Sequence, residues 1–311
     1  MDMLLQILLL AVGFTMLIKG ADWFVEGASS IAAKFGIPQL VIGLTIVAMG
    51  TSAPEAAVSV TAALNNNAGI TIGNVVGSNI LNIFVILGIT ATITTLAVGK
   101  STLKIEMPFM IVVTALLLGL GIDGKISRVD GIIFWVIFIG YLIYLLMLAK
   151  KGSATEEEKP KDVSLGKAFV FAIIGFALII WGSDVTVDAA TKIAQMLGVD
   201  ERIIGLTIVA LGTSLPELCA SVVAARKGKA DIAIGNVVGS NLFNILFVVG
   251  TSALITPVPF ANEFVIDTLV AIGAAVLLFV CSLKDKALKR WAGITMLVGY
   301  AGYFVFLMMK S

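Results

Sequence analysis

The chain has 311 residues, of which 59% are hydrophobic and 13% charged, with a mean hydropathy of +1.06. Soluble domains carry about 25% charged residues, so this composition is that of a polytopic membrane protein. A net charge of +1 without a long basic stretch gives no support to nucleic-acid binding, and the absence of histidine removes the commonest zinc ligand and the commonest general base.

In chain order, apolar stretches long enough to span a bilayer fall near 3–25, 39–64, 70–97, 105–121, 130–149, 165–187, 202–225, 231–255, 263–283 and 290–309. The start, Met1-Asp2-Met3 followed by Leu4 to Ile18, lacks a basic n-region and a small-residue cleavage site, and is read as the first membrane helix. Cys219 and Cys281 both lie in or beside apolar segments, which argues against a disulfide framework. Lys150 to Lys167 has linker composition and includes the acidic run Glu156 to Glu158, read as solvated linker. The expected organisation is a first five-helix repeat over 1–149, a cytoplasmic linker over 150–164 and a second five-helix repeat over 165–311.

Sliding the sequence by 162 residues aligns Gly13 with Gly175, Asp22 with Asp184, Gly36 with Gly198, Glu55 with Glu217, Ser78 with Ser240 and Asn82 with Asn244, without a gap. Ile42 to Glu55 matches Ile204 to Glu217 except at Met49/Leu211 and Ala53/Leu215, too densely for shared hydrophobicity to explain. Five helices per half is an odd number, so the second half enters the membrane from the opposite side and the repeats are inverted. With the N-terminus outside, 15 lysines and arginines fall on the inner side and 5 on the outer, Lys19 being unassigned within the first helix. The positive-inside rule therefore favours extracytoplasmic termini and a cytoplasmic linker, in the cell membrane.

Two polar motifs recur. The first is Gly50-Thr51-Ser52-Ala53-Pro54-Glu55, with its copy Gly212-Thr213-Ser214-Leu215-Pro216-Glu217. The second, in the next segment, is Gly73-Asn74-Val75-Val76-Gly77-Ser78-Asn79-Ile80-Leu81-Asn82, with its copy from Gly235 to Asn244. Helices broken by polar residues at matching places of inverted halves mark a transporter's binding site, so helices 2, 3, 7 and 8 are expected to be broken. Ser52 to Glu55 also reads as a capping box, with Ser52 as N-cap, proline in the first turn and Glu55 reaching back. Capping alone does not require an ionisable residue. A carboxylate at the centre of a membrane helix costs roughly 2.5–3.5 kcal/mol, which points to function.

No lysine or arginine lies in these segments, so two facing glutamates need a cation or a proton as counter-charge. The donors are oxygens alone: the carboxylates, hydroxyls of Thr51, Ser52, Ser78, Thr213, Ser214 and Ser240, amides of Asn82 and Asn244, and freed carbonyls. Such a set suits Ca²⁺ and Na⁺, and its flexible crowd of neutral oxygens suits calcium better than magnesium. Asn82 and Asn244 follow Ser78 and Ser240 by four residues, on one helix face, which favours a site role over a simple interhelical hydrogen bond. Asn74, Asn79, Asn236 and Asn241 are expected to brace backbone at the helix breaks, and Gly43, Gly73, Gly77 and their repeats to permit close helix approach. Asp22 and Asp184 are expected near helix ends as interfacial caps, with the lining of an ion path as the lesser alternative, and the four tryptophans as interface anchors.

On these residues the sequence resembles the calcium/cation antiporter superfamily, whose two repeats carry G-T-S-x-P-E and G-N-x-x-G-S-N. It looks most like the short prokaryotic sodium/calcium exchangers, and the likeness covers essentially the whole chain. The resemblance implies a calcium site from Glu55, Glu217 and the carbonyls of Thr51 and Thr213. It implies flanking sodium sites from Ser52, Ser78, Ser214, Ser240 and the carbonyls of Ala48 and Ala210, with Asn82 and Asn244 beside them. Archaeal relatives carry an aspartate where this chain has Asn244, a position the family uses to vary potassium dependence and site charge. The implied activity is exchange of Ca²⁺ for Na⁺ by alternating access, electrogenic if three sodium ions balance one calcium, with no cofactor. A cation/proton antiporter, a potassium-dependent exchanger, a membrane-embedded hydrolase and a passive channel are the rivals; without histidine there is no H-E-x-x-H for the hydrolase.

Overall fold

A computed structural model describes residues 3–152, 164–198 and 210–310. The helices are α1 (Met3–Phe35), α2 (Gln39–Thr51), α3 (Ala53–Leu64), α4 (Gly69–Ile93), α5 (Thr102–Gly121) and α6 (Arg128–Gly152), then α7 (Leu165–Met196), α8 (Ala210–Thr213), α9 (Leu215–Arg226), α10 (Ala230–Ile255), α11 (Asn262–Leu283) and α12 (Arg290–Lys310). Among the described residues, eight helices are long and apolar enough to cross a membrane, or nine if α2 and α3, bent by 50°, form one span. The expected span 202–225 falls partly outside the described residues, as do the acidic run and most of the linker.

α1 and α7 are longer than the apolar pattern predicts, at 33 and 32 residues. At 1.5 Å per residue each is about 50 Å long, against a hydrocarbon core of about 30 Å, so each must tilt or protrude. Both end on a glycine in the left-handed region, Gly36 (φ 63) and Gly198 (φ 75), a conformation that a Cβ disfavours. The two helices cross along a seam of small residues: a Cβ on Gly20 would lie 2.8 Å from the Gly175 carbonyl oxygen. With no hydrophobic drive between helices in lipid, such close backbone contact is what holds them together.

Asp22 and Asp184 consequently lie within long helices rather than at their ends, which corrects the reading of both as caps. The tryptophans divide as well. Trp181 and Trp291 are exposed, whereas the Trp135 indole N–H donates to Thr251 Oγ1 at 3.2 Å.

α4 and α10 form the centre, with 72% and 94% of their apolar windows buried against 17–39% for the other membrane-length helices. Neither is broken, contrary to the expectation for helices 3 and 8. Each runs straight through its asparagine-rich motif and then loosens into a π-helical stretch, Asn82–Leu87 and Asn244–Val249, at positions equivalent in the repeat. The break was expected from small and polar residues at matching places of the two halves, yet a fully buried backbone has no water to replace its hydrogen bonds and stays helical. Gly43, Gly235 and Gly239 do let α2 and α10 approach closely: a Cβ on Gly239 would lie 2.8 Å from the Leu44 backbone. Gly73 meets only the Phe264 ring, at 3.4 Å, and nothing described lies within 4 Å of Gly77.

Two short ladders tie the halves together: Leu96–Ala97 (β1) pairs antiparallel with Ala287–Leu288 (β4), and Lys125–Ile126 (β2) with Val258–Pro259 (β3). Each ladder is the other with the halves exchanged. The same exchange relates Val98 N–H donating to the Lys286 carbonyl at 2.8 Å and Phe260 N–H donating to the Gly124 carbonyl at 2.9 Å.

Candidate functional site

The helix bend at Ser52 follows from Pro54, which has no N–H to offer the Gly50 carbonyl. Backbone bonding resumes at once, because Ser52 N–H donates to the Ala48 carbonyl at 3.0 Å and Ala56 N–H to the Ser52 carbonyl at 3.1 Å. The capping box expected here does not form. Ser52 occupies the N-cap position with ψ 7° and makes no side-chain cap bond. Its hydroxyl donates instead across the molecule, to Glu217 Oε1 at 2.8 Å. With the backbone satisfied, that side chain is free to serve the other half. In the second half Pro216 likewise deprives Gly212 of a partner, and Ser183 Oγ fills the place, donating to the Gly212 carbonyl at 2.7 Å.

Glu55 and Glu217 are both 1% exposed and near enough for their charges to repel. Among the described residues neither has an ion-pair partner. Both oxygens of Glu55, Oε2 of Glu217 and the buried Ser214 hydroxyl have no hydrogen-bond partner among the described residues. The hydroxyls of Thr213 and Ser78 face the Glu55 carboxylate, and those of Ser52 and Thr51 face Glu217. Each carboxylate is thus approached by a motif threonine of the opposite half. Ser240 Oγ donates to the Ala48 carbonyl at 3.4 Å, and Ala210, the repeat counterpart of Ala48, opens the described part of its segment.

The asparagines brace this frame. Asn74 Nδ2 donates to the Glu55 carbonyl at 3.1 Å and to Ser59 Oγ at 2.9 Å; Asn236 Nδ2 donates to the Glu217 carbonyl at 3.3 Å and to Ser221 Oγ at 2.9 Å. Thr51 Oγ1 lies 3.0 Å from the Val47 carbonyl and 3.1 Å from Asn236 Oδ1, and donates to one of them at a time. Ser59 and Ser221 were missed in the sequence, although each follows its glutamate by four residues and so shares its helix face. Asn79 Nδ2 donates to the Asn241 carbonyl and Asn241 Nδ2 to the Asn79 carbonyl, both at 3.2 Å. Asn82 Nδ2 donates to Asn241 Oδ1 at 3.0 Å and Asn244 Nδ2 to Asn79 Oδ1 at 3.1 Å. Asn82 and Asn244 therefore do make the interhelical bond set aside for them, but only through nitrogen. Their Oδ1 atoms are buried and unpartnered.

Among the described residues no group of three or more acidic, histidine or cysteine side chains could hold a metal. The arrangement offers two carboxylates, hydroxyls and amide oxygens, a donor set for hard cations such as Ca²⁺ and Na⁺. Several of its acceptors have nothing to accept from.

A solvent-open cleft of about 310 Å³ reaches this frame, lined in part by Asp184, Asp188, Pro54, Gly212 and Thr213. The matching region of the other half differs. There a cleft of about 240 Å³ is lined by Ile18, Asp22, Arg226 and Lys227. Lys227 Nζ contacts Asp22 Oδ1 at 2.7 Å and Glu26 Oε2 at 3.4 Å, and donates to the Asp22 carbonyl at 2.9 Å. The repeat places Asn65 opposite Lys227, and in the first cleft Asp188, the counterpart of Glu26, pairs within its own helix with Lys192 at 2.5 Å.

A buried carboxylate pair among neutral oxygens, inside a bundle of membrane-length helices, marks a membrane protein that handles cations. A family profile described as sodium/calcium exchanger protein matches the chain twice, over residues 5–147 and 167–309. The chain belongs to this family of membrane antiporters, within the calcium/cation antiporter superfamily. It is 38% identical to the inner membrane protein YrbG of Escherichia coli, over 96% of this chain and 95% of that one. It is 32% identical to the sodium/calcium exchanger MaX1 of Methanosarcina acetivorans, over 96% and 97%. Among solved structures it is similar to the sodium-calcium exchanger NCX_Mj soaked with 10 mM Na⁺ and zero Ca²⁺, with a TM-score of 0.85 and 35% identity, over 98% of this chain and 99% of that one.

Proposed function

We propose that this protein exchanges Ca²⁺ for Na⁺ by alternating access, with the two ions competing for Glu55 and Glu217. The observation that carries the reading is the buried carboxylate pair, beside which no cationic side chain lies among the described residues. Burying such charges uncompensated costs several kcal/mol each, so the state that persists in a membrane is one in which a cation or proton neutralises them. Thr51 and Thr213 through their carbonyls, Ser52, Ser78, Ser214 and Ser240 through their hydroxyls, and Asn82 and Asn244 through Oδ1 complete the coordination, with the carbonyls of Ala48 and Ala210 toward the sodium positions. One calcium balances two carboxylates. Exchange against three sodium ions moves net charge, so transport is electrogenic.

The halves are inverted repeats of five helices, 1–149 and 165–311, joined by a cytoplasmic linker, with both termini extracytoplasmic in the cell membrane. The exchanged ladders and hydrogen bonds support that relation. The cleft at Thr213 supports access from one side at a time, since it reaches the motif residues Pro54, Gly212 and Thr213, whereas the cleft of the other half is lined by none of the motif residues and is crossed by the Lys227–Asp22 ion pair. Names and soaking ions of relatives favour sodium as the exchanged partner, because MaX1 is named a sodium/calcium exchanger and NCX_Mj was soaked with Na⁺ and Sr²⁺. In proteoliposomes, Glu55→Gln and Glu217→Gln each abolish sodium-gradient-driven calcium uptake; wild-type uptake by either variant would overturn the assignment.

A further inference from the structure

An asparagine amide has one end that donates and one that accepts, and only the accepting end can bind a cation. The four buried asparagines at the centre decide that orientation step by step. Backbone carbonyls only accept, so the ends of Asn79 and Asn241 that meet the Asn241 and Asn79 carbonyls are Nδ2. Their other ends are then Oδ1, which also only accept. The ends of Asn82 and Asn244 that meet them, at 3.0 and 3.1 Å, must therefore be Nδ2. What remains is Oδ1 of Asn82 and of Asn244, each buried with no partner among the described residues. The two halves close this ring together, since each asparagine bonds only to residues of the opposite half.

We infer that Asn79 and Asn241 are positioning residues for transport: they hold the amides of Asn244 and Asn82 with oxygen, not nitrogen, presented to the passing cation. The inference rests on Asn82 and Asn244 being ligands, as proposed above. Asn79 and Asn241 act through them and touch no ion. Pre-setting the two oxygens spares the site an amide rotation at each ion entry, which is how preorganisation raises affinity. A ring that only clamped the halves together would need no particular end of Asn244 left unbonded.

The two roles separate in a rescue experiment. Asn79→Ala frees the Asn244 amide to turn its NH₂ toward the site, so the KM for Ca²⁺ in sodium-gradient-driven uptake rises about ten-fold with a smaller change in maximal rate. Asn244→Asp in the Asn79→Ala background restores the KM to within about three-fold of wild type, because a carboxylate accepts through either oxygen and needs no orienting. Asn241→Ala with Asn82→Asp repeats the test through the other half if Asn79→Ala does not fold. A wild-type KM in Asn79→Ala, or a loss that aspartate at 244 does not rescue in protein that runs as a single species on size exclusion, overturns the inference. Asn244→Ala identifies the failing level: a raised KM there with a wild-type KM in Asn79→Ala sinks the positioning role alone, while a wild-type KM there sinks the ligand reading beneath it.

Discussion

Ser52 and Ser214 are equivalent in the repeat, yet among the described residues only Ser52 bonds a carboxylate. A hydrogen bond to a charged group contributes about 1.5–3 kcal/mol. In chelator and sodium-free buffer, Ser52→Ala should lower the stability of the purified protein by about that amount, whereas Ser214→Ala, which removes no bond, should change it little; thermal unfolding in detergent reads the difference. Both serines, both glutamates and the motif threonines were legible as candidate site residues, because ionisable and hydroxyl groups inside apolar segments stand out against composition. Their partners were not. The capping rule looks to a side chain's own backbone, while Ser52 reaches a carboxylate 165 residues away, and no local pattern reports such a contact. Lys227 was read only as a charge that helps orient the chain in the membrane, and its ties to Asp22 and Glu26 across more than 200 residues were equally hidden.

At the level of elements, α9 carries Glu217 near its start and is followed directly by Lys227, which grips α1 through Asp22 and Glu26. α1 can part from α9 only if that grip opens. The pair is partly exposed, and such a pair is worth about 1 kcal/mol or less, so releasing it shifts an opening equilibrium by at most about five-fold. Val187 lines the open cleft; its repeat counterpart Val25, on α1, is 0% exposed. With Cys219 and Cys281 replaced by alanine, Val25→Cys should react up to about five-fold faster with a membrane-impermeant thiol reagent from the cytoplasmic face once Lys227→Met is added. Unchanged labelling would show that the ion pair restrains nothing. Helix positions were mostly legible from hydropathy. Their true ends in α1 and α7 were not, because the extensions carry small and polar residues such as Ser29, Ser30 and Lys34 that hydropathy scores as loop. The continuity of α4 and α10 was also hidden: glycine and asparagine weaken a helix in water, and burial removes the water that would replace its bonds.

The whole molecule is two copies of one plan whose contacts recur with the halves exchanged, in the ladders, in the asparagine ring and in the crossing of Thr51 and Thr213 to the opposite carboxylate. That relation was the most legible feature of the sequence, since an ungapped offset of 162 residues survives across the chain and the family profile matches at the same offset. Where the copies differ, as at Lys227 against Asn65, the clefts of the two halves differ too. Such a plan buries one carboxylate from each half at the centre, and under the proposed exchange either ion's occupancy depends on the other's. The most direct test is calcium uptake into proteoliposomes loaded with sodium and diluted into sodium-free medium, compared with vesicles that carry only an outward proton gradient. Uptake is expected to follow the sodium gradient, to be accelerated by an inside-positive diffusion potential because three sodium ions leaving for each calcium entering carry one net positive charge out, and to be absent with the proton gradient alone. Uptake from protons without sodium, or sodium-driven uptake that ignores membrane potential, would contradict it.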